Sequence, residues 1–240
     1  MPAGKAAFLA NKAVLIAEHE SIGRLNSVQV AGSGLFGSIK TWERLQNTSP
    51  ILTFSDRQEI FCEGQSSEHY FKVISGVVLS CRFMRDGRRI ITAFYVTGDV
   101  FGFDQTEQRS FSTVAVGNCT LMSHRRGAEA LALMDRTILQ QLFRDAMQEL
   151  CHAQDHSLLL GRRGAAERIA AFLLDWSTRS PDKHVLDIAM SRQDIGDYLG
   201  LTIETVSRTL TQFERDGVIA MPNLRQICLN HPARLEALVI

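Results

Sequence analysis

The spacing of apolar and polar residues changes along the chain, and each change predicts a different kind of structure. The first twenty or so residues are rich in alanine and predict a helix, whereas four glycines in residues 21–38 predict a linker. Residues 41–47 predict a second short helix. From Ser49 onward, segments rich in Ile, Val, Phe, Thr and Tyr predict short strands separated by turns.

Six segments form the predicted strand region: 51–55, 58–64, 70–84, 88–96, 99–103 and 111–116. Turn-forming pairs lie at Glu63-Gly64, Ser75-Gly76, Asp86-Gly87 and Gly98-Asp99. Strands at such short, regular spacing are typical of a β-barrel or sandwich of about 80 residues.

A helical pattern begins at about residue 135 and continues to Leu160. Its apolar or small residues recur every three or four positions, close to a heptad seam. The seam consists of Leu139, Leu142, Ala146, Leu150, Ala153, Ser157 and Leu160. Apolar residues also occur beside it, at Phe143 and Met147, which gives one face for the barrel and another for a partner. We interpret the segment as a dimerisation helix; a core helix that only covers the barrel is the alternative.

Gly161 to Gly164 predict a break after this helix. The next segment, 165–179, is an amphipathic helix with Ile169, Phe172 and Trp176 on one face, and it ends before Pro181. We therefore divide the chain into an N-terminal segment (1–48), a barrel (49–134), a dimerisation helix (135–161) and a C-terminal domain (162–240).

Residues 190–219 predict two helices joined by a tight turn. Ser191 and Asp194 have the spacing of a capping box, with Asp in place of the usual Glu or Gln. Gly200 supplies the turn, and Thr202 can cap the second helix. This arrangement is a helix-turn-helix. A purely structural helical hairpin is the alternative.

The second helix of the pair carries polar residues on its outward side. Glu204, Ser207 and Arg208 share one face near the helix N-terminus, the end that a recognition helix presents to the major groove. Arg can bind guanine in bidentate fashion and Glu can accept from cytosine N4. Ile203 can meet a thymine methyl group. We therefore predict that these four residues contact bases.

Further residues are predicted to contact the phosphate backbone rather than the bases. They are Ser191, Arg192, Thr202 and Thr205. After Gly217, two short apolar segments flank residues 222–225 and predict a β-hairpin wing.

Charge and composition restrict these predictions. Lys and Arg number 26, as do Asp and Glu, and residues 161–240 hold ten of each sign, so specificity has to come from a few placed groups. The five scattered cysteines fit neither a disulfide framework nor a metal site. We expect a cytoplasmic protein that is not an enzyme and holds no metal or other cofactor, because membrane spans, phosphate loops and nucleophile–base motifs are lacking.

The motifs at 195–208 and at 71–78 and 98–104 resemble the CRP/FNR superfamily of transcription regulators, and the E-x-x-S-R spacing resembles its FNR/FixK group. The resemblance runs from Ser49 to Leu229. It implies an α+β fold with a cyclic-nucleotide-binding-like barrel, a long dimerisation helix and a winged helix-turn-helix. It also implies a homodimeric activator that binds double-stranded DNA at TTGAT-type palindromes, contacts RNA polymerase, and serves microaerobic or nitrogen-fixation genes. The turn from Arg85 to Arg89 is a candidate polymerase surface, and an ordinary solvated hairpin tip is the alternative.

The sequence departs from two sensing mechanisms of the superfamily. It lacks the clustered N-terminal cysteines that hold an iron–sulfur cluster in FNR itself. The cyclic-AMP receptors have a Glu where Phe103 stands here, and Arg109-Ser110 follows after a shorter loop. We therefore expect no binding of cyclic nucleotides. A barrel that binds some other small effector, and redox control through a single cysteine, remain as alternatives to an effector-independent regulator.

Overall fold

The computed structural model describes residues 49–126, 136–161 and 164–239. The helices and linker predicted within residues 1–48 lie outside this part of the chain, as does the junction between the predicted barrel and the long helix. Within the described residues, no helix is both long enough and apolar enough to cross a membrane.

The first described segment is an antiparallel sheet of six strands. They are β1 (Ile51–Phe54), β2 (Glu59–Phe61), β3 (His69–Phe83), β4 (Arg89–Tyr95), β5 (Val100–Phe101) and β6 (Ser112–Arg125). The order is β1-β6-β3-β4, while β2 also pairs with β6 and β5 with β3. Each strand matches a segment that its β-branched and aromatic residues predicted. Aromatic side chains fill the interior; Phe71, for example, stacks on both Phe61 and Phe101.

Two features of this sheet differ from the sequence prediction. Ser75-Gly76 was expected to form a turn, but β3 continues through it with a shift of register. Gly76 has φ +89°, and a Cβ there would lie 2.5 Å from the carbonyl oxygen of Asn118, so only glycine fits this bulge. The last strand also extends nine residues beyond the predicted end, from 116 to Arg125.

Helices dominate the rest of the described chain. They are α1 (Arg136–Leu160), α2 (Ala165–Arg179), α3 (Arg192–Leu199), α4 (Ile203–Arg215) and α5 (Pro232–Val239). A small sheet accompanies them, in the order β7-β9-β8, from β7 (Val185–Asp187), β8 (Ile219–Asn223) and β9 (Gln226–Leu229). The sequence prediction included the β8–β9 wing but neither β7 nor α5.

The C-terminal domain is built around the buried face of α2. Ile169, Phe172 and Trp176 are buried there, as the amphipathic pattern predicted, and the indole N–H of Trp176 donates to the carbonyl of Asp187. The same apolar cluster includes Phe94 of β4, which contacts both Phe172 and Trp176. The core of the C-terminal domain is therefore continuous with one face of the six-stranded sheet, which we call the sensor sheet.

Candidate nucleic-acid interface

Reciprocal capping bonds fix the start of α3. The Asp194 N–H donates to Ser191 Oγ at 3.1 Å, and the Ser191 N–H donates to Asp194 Oδ2 at 3.0 Å. This is the predicted capping box, and it satisfies N–H groups that the first turn of a helix leaves unpaired.

Two glycines allow α4 to follow α3 closely. Gly200 ends α3 in the left-handed conformation, with φ 64° and ψ 37°, which glycine adopts without steric cost. Gly196 faces the next turn, where a Cβ would lie 2.7 Å from the carbonyl oxygen of Leu201. Thr202 then caps α4 by accepting from the Thr205 N–H at 3.2 Å. The two helices therefore form a compact helix-turn-helix.

The recognition face is defined here as Ile203, Glu204, Ser207 and Arg208 of α4. All four side chains are exposed, whereas Val206, Leu210 and Phe213 on the opposite side of the helix are buried. The helix is therefore anchored by one face and open on the other, as its pattern predicted. The four residues predicted to contact bases therefore lie together on the exposed side of α4.

The charge of Glu204 is stabilised by its position in the first turn. Its own backbone N–H, then the Thr202 hydroxyl and then the positive charge of Arg208 lower the pKa of this carboxyl group. Glu204 is therefore a charged acceptor at neutral pH, suited to an amino group on a base edge.

The residues predicted to contact phosphate differ in their surroundings. Ser191 and Thr202 are exposed as well as capping their helices, and Thr205 is partly buried behind Thr202. Arg192 is turned towards the wing, where its Nη2 lies 3.3 Å from Met221 Sδ, and burial lowers the pKa of its guanidinium. Arg192 thus packs within the domain in this structure. At the tip of the wing, Leu224 is 88% exposed.

An ionic cluster that was not predicted from the sequence joins the two domains. Arg57 donates to both carboxylate oxygens of Asp194, at 3.1 and 2.6 Å. Arg89 donates to Asp194 as well, and its Nε lies 2.7 Å from Asp197 Oδ2. We call these four residues the interdomain clamp. Burial opposes ionisation of Asp194, but hydrogen bonds from Arg57 and then Ser191 outweigh it and hold its pKa well below the usual range.

The exposed face of α1 is apolar but is displaced from the predicted seam. Leu142 is buried within the protomer, whereas Phe143 and Leu158 are 67% and 71% exposed. Leu139, Leu150 and Leu160 of the predicted seam are exposed too, as are Ala153 and Ser157, while Ala146 is half-buried. The side of α1 that packs inward thus includes Leu142, and the exposed apolar stripe consists of Leu139, Phe143, Met147, Leu150 and Leu158.

A cavity of about 380 Å³ lies between the sensor sheet and α1. Phe103, Asp104, Ser110 and Glu149 are among its lining residues, and burial raises the pKa of Glu149 to about 7. Arg109 is buried beside this cavity and its guanidinium is already engaged, as its Nη1 donates to Asp104 and to the carbonyl of Gly102. Among the described residues, no group of three side chains could hold a metal ion.

Comparison with known proteins agrees with this architecture. Residues 167–238 match a Crp-like helix-turn-helix domain, and residues 51–137 match a cyclic nucleotide-binding domain. The fold also resembles the solved structure of FixK2 from Bradyrhizobium japonicum, with a TM-score of 0.75 and 37% identity, covering 80% of this chain and 98% of that one. These matches confirm the predicted α+β fold class.

Curated relatives are similar over the same region. The chain is 45% identical to the nitrogen fixation regulation protein FixK of Azorhizobium caulinodans, over 77% of each chain. It is 40% identical to the FixK protein of Bradyrhizobium diazoefficiens, over 77% of this chain and 80% of that protein. With its helix-turn-helix, the chain is a DNA-binding transcription regulator and not an enzyme, and it belongs to the FixK group of the CRP/FNR family.

Proposed function

We propose that the protein acts in the cytoplasm as a homodimeric activator that binds palindromic, TTGAT-containing sites and recruits RNA polymerase. The observation that carries this proposal is the exposed recognition face of α4, in which charged and hydroxyl side chains project from the first turns of a rigidly anchored helix. The names of the FixK relatives support a role at nitrogen-fixation genes. Microaerobic genes are a second target class within the same proposal.

The exposed apolar stripe of α1 supports the dimer. Five large apolar side chains on one face of a 25-residue helix would remain in water in a lone protomer. Two such helices packed side by side bury these stripes against each other, as in a two-stranded coiled coil. A two-fold dimer presents two recognition helices and therefore favours a palindrome. We accordingly retain 135–161 as the dimerisation helix, between a sensor domain at 49–134 and a DNA-binding domain at 162–240.

The hairpin from Arg85 to Arg88 supports the polymerase contact. It is an exposed turn between β3 and β4, closed by a hydrogen bond of 2.8 Å from the Met84 N–H to the Arg88 carbonyl, and Arg88 pairs with Asp86 at 2.7 Å. Arg89, which formed the end of the predicted surface, is engaged with α3 instead. We therefore propose the turn without Arg89 as the polymerase-facing surface.

Selection of binding sites from random double-stranded DNA tests the proposal directly. We expect a two-fold symmetric site with TTGAT-type half-sites whose centres are about one helical turn apart. A control selection uses Arg208→Ala, because that variant removes one base-contacting group and leaves the inward face of α4 unchanged. Recovery of a single half-site would contradict the dimer, and recovery of no sequence preference would contradict the recognition face.

We also propose that the sensor domain does not respond to cyclic nucleotides. Hydrogen bonds from the Ser110 N–H and Arg109 outweigh burial and lower the pKa of Asp104, so the buried Arg109 already has a charged carboxylate partner. A cyclic phosphate would have to displace that partner, and Phe103 offers no acceptor for a ribose hydroxyl. Titration calorimetry with cyclic AMP and cyclic GMP is expected to give no saturable heat. Saturable binding of either nucleotide would refute this assignment.

A further inference from the structure

The interdomain clamp holds the helix-turn-helix at the first turn of α3. Asp194 is 1% exposed, and its carboxylate both caps α3 and accepts from two arginines of the sensor domain. A bidentate arginine contact restricts direction as well as distance. Because α3 joins α4 through one tight turn, the clamp also restricts the direction of α4 relative to the sensor sheet.

The backbone at Arg57 is unusual in a way that supports a specific role for the side chain. Among the residues that the structure describes, it is the only non-glycine residue with positive φ, at 63°. An L-residue pays a steric cost in this conformation, which glycine would avoid. The segment is held by hydrogen bonds on both sides, from the Arg57 N–H to Ala115 O and from the Ala115 N–H to Gln58 O. Strain of this kind is found where the surrounding structure fixes a residue for a function.

The clamp leaves the recognition face uncovered. Glu204, Ser207 and Arg208 are exposed while Arg57 and Arg89 are engaged, so the contact does not block access to DNA. The sensor sheet that carries Arg89 on β4 also contacts α1 through β4 and β5. Because the same sheet contacts both parts, the clamp restricts the direction of α4 relative to α1, the helix that we propose forms the dimer.

We propose that Arg57, Arg89 and Asp197 are spacing-determining residues, which fix α4 relative to α1 and thereby select the separation of the two DNA half-sites. The proposal rests on the homodimeric DNA binding proposed above. A dimer with rigidly held recognition helices accepts one separation of half-sites, whereas a dimer with loosely held helices accepts several.

The test compares the wild-type protein with the double variant Arg57→Gly/Arg89→Ala. Glycine suits the positive φ, so this variant removes both guanidinium groups from Asp194 without adding backbone strain. Affinity is measured for a palindromic duplex at the separation that the wild type prefers, and for duplexes with one base pair added or removed. We expect the preference to fall from about tenfold in the wild type to about twofold in the variant.

Arg125→Ala is the matched control, because Arg125 is an exposed arginine of the same sheet, at the end of β6. It should keep the wild-type preference for spacing. Both variants should keep the preference for the correct bases within a half-site, since the recognition face is unchanged. A folded double variant that retains the full spacing preference would overturn the proposal. So would a loss of base preference within the half-site, which would mean that the clamp acts through the shape of α4 itself.

Small-angle X-ray scattering without DNA provides a second measurement. The double variant should have a larger radius of gyration than the wild type and the Arg125→Ala control, because its DNA-binding domain is released from the sensor sheet. Equal radii would refute the clamp even if DNA binding could not be measured. Failure of the wild type to prefer any palindrome would instead reject the proposed dimeric function, so the two ideas fail separately.

Discussion

Replacing Phe143 with glutamate is expected to convert the dimer to monomers and to lower affinity for a palindromic operator by about a hundredfold or more. Phe143 has a highly exposed aromatic side chain in the middle of the apolar stripe of α1. In a two-fold dimer the substitution places two carboxylates at symmetric positions of one apolar interface. Burying these charges is costly, and their repulsion adds to the cost.

The loss of affinity follows from the loss of linkage between the two recognition helices. In a dimer, binding of one half-site raises the effective concentration of the second recognition helix at the other half-site. A monomer has only the contacts of one half-site, and the charge-neutral C-terminal part of the chain offers little non-specific attraction to compensate.

Sedimentation velocity and operator binding measure the two effects separately. Gln148→Glu is the matched control, because Gln148 is exposed on the same helix and lies about 140° around the axis from Phe143. It should remain dimeric and bind the operator normally. If Phe143→Glu stayed dimeric with unchanged affinity, the stripe would not be the interface.

Arg208→Ala is expected to weaken binding to the cognate operator by about 1–3 kcal/mol and to relax the preference at the guanine that it contacts. The guanidinium is exposed on the recognition face and can donate to guanine O6 and N7 at once. Truncation removes both donors. It should leave the fold unchanged, since the helix is anchored through Val206, Leu210 and Phe213.

Competition binding with operators substituted one base at a time checks this assignment. Arg215→Ala serves as the control, because Arg215 is an exposed arginine in the last turn of the same helix, far from the end that enters the groove. Only Arg208→Ala should lose discrimination at one base pair. A loss that is equal for cognate and scrambled DNA would assign Arg208 to a phosphate instead.

Much of the helix-turn-helix could be predicted from the sequence because its determinants are local. The capping box of Ser191 and Asp194 spans four residues, Gly200 marks the turn, and the buried face of α4 follows from helical spacing. The face that α1 turns outward does not follow from its sequence alone, since steps of three and four allow either Leu142 or Phe143 on the interface side. Only packing against the sensor sheet distinguishes them.

The interdomain clamp could not be predicted in this way. Its partners are far apart in the chain, since Arg57 and Asp194 are 137 positions apart and Arg89 and Asp194 are 105 positions apart. An acidic residue in the first turn of a helix already has a local explanation as a cap, and so nothing in the sequence indicated a second role for Asp194. The bulge at Gly76 was missed for a similar reason, because its neighbour, Asn118, belongs to another strand.

The buried carboxylate of Asp194 limits how the DNA-binding domain can be transferred to another protein. The two arginines that pair with it belong to the other domain, so residues 164–239 contain a buried charge whose counterions lie outside them. A chimera that grafts this DNA-binding domain onto an unrelated sensor would leave a carboxylate without its cations beside the start of α3. Joining this DNA-binding domain to another sensor domain therefore requires that the two arginines move together with the aspartate.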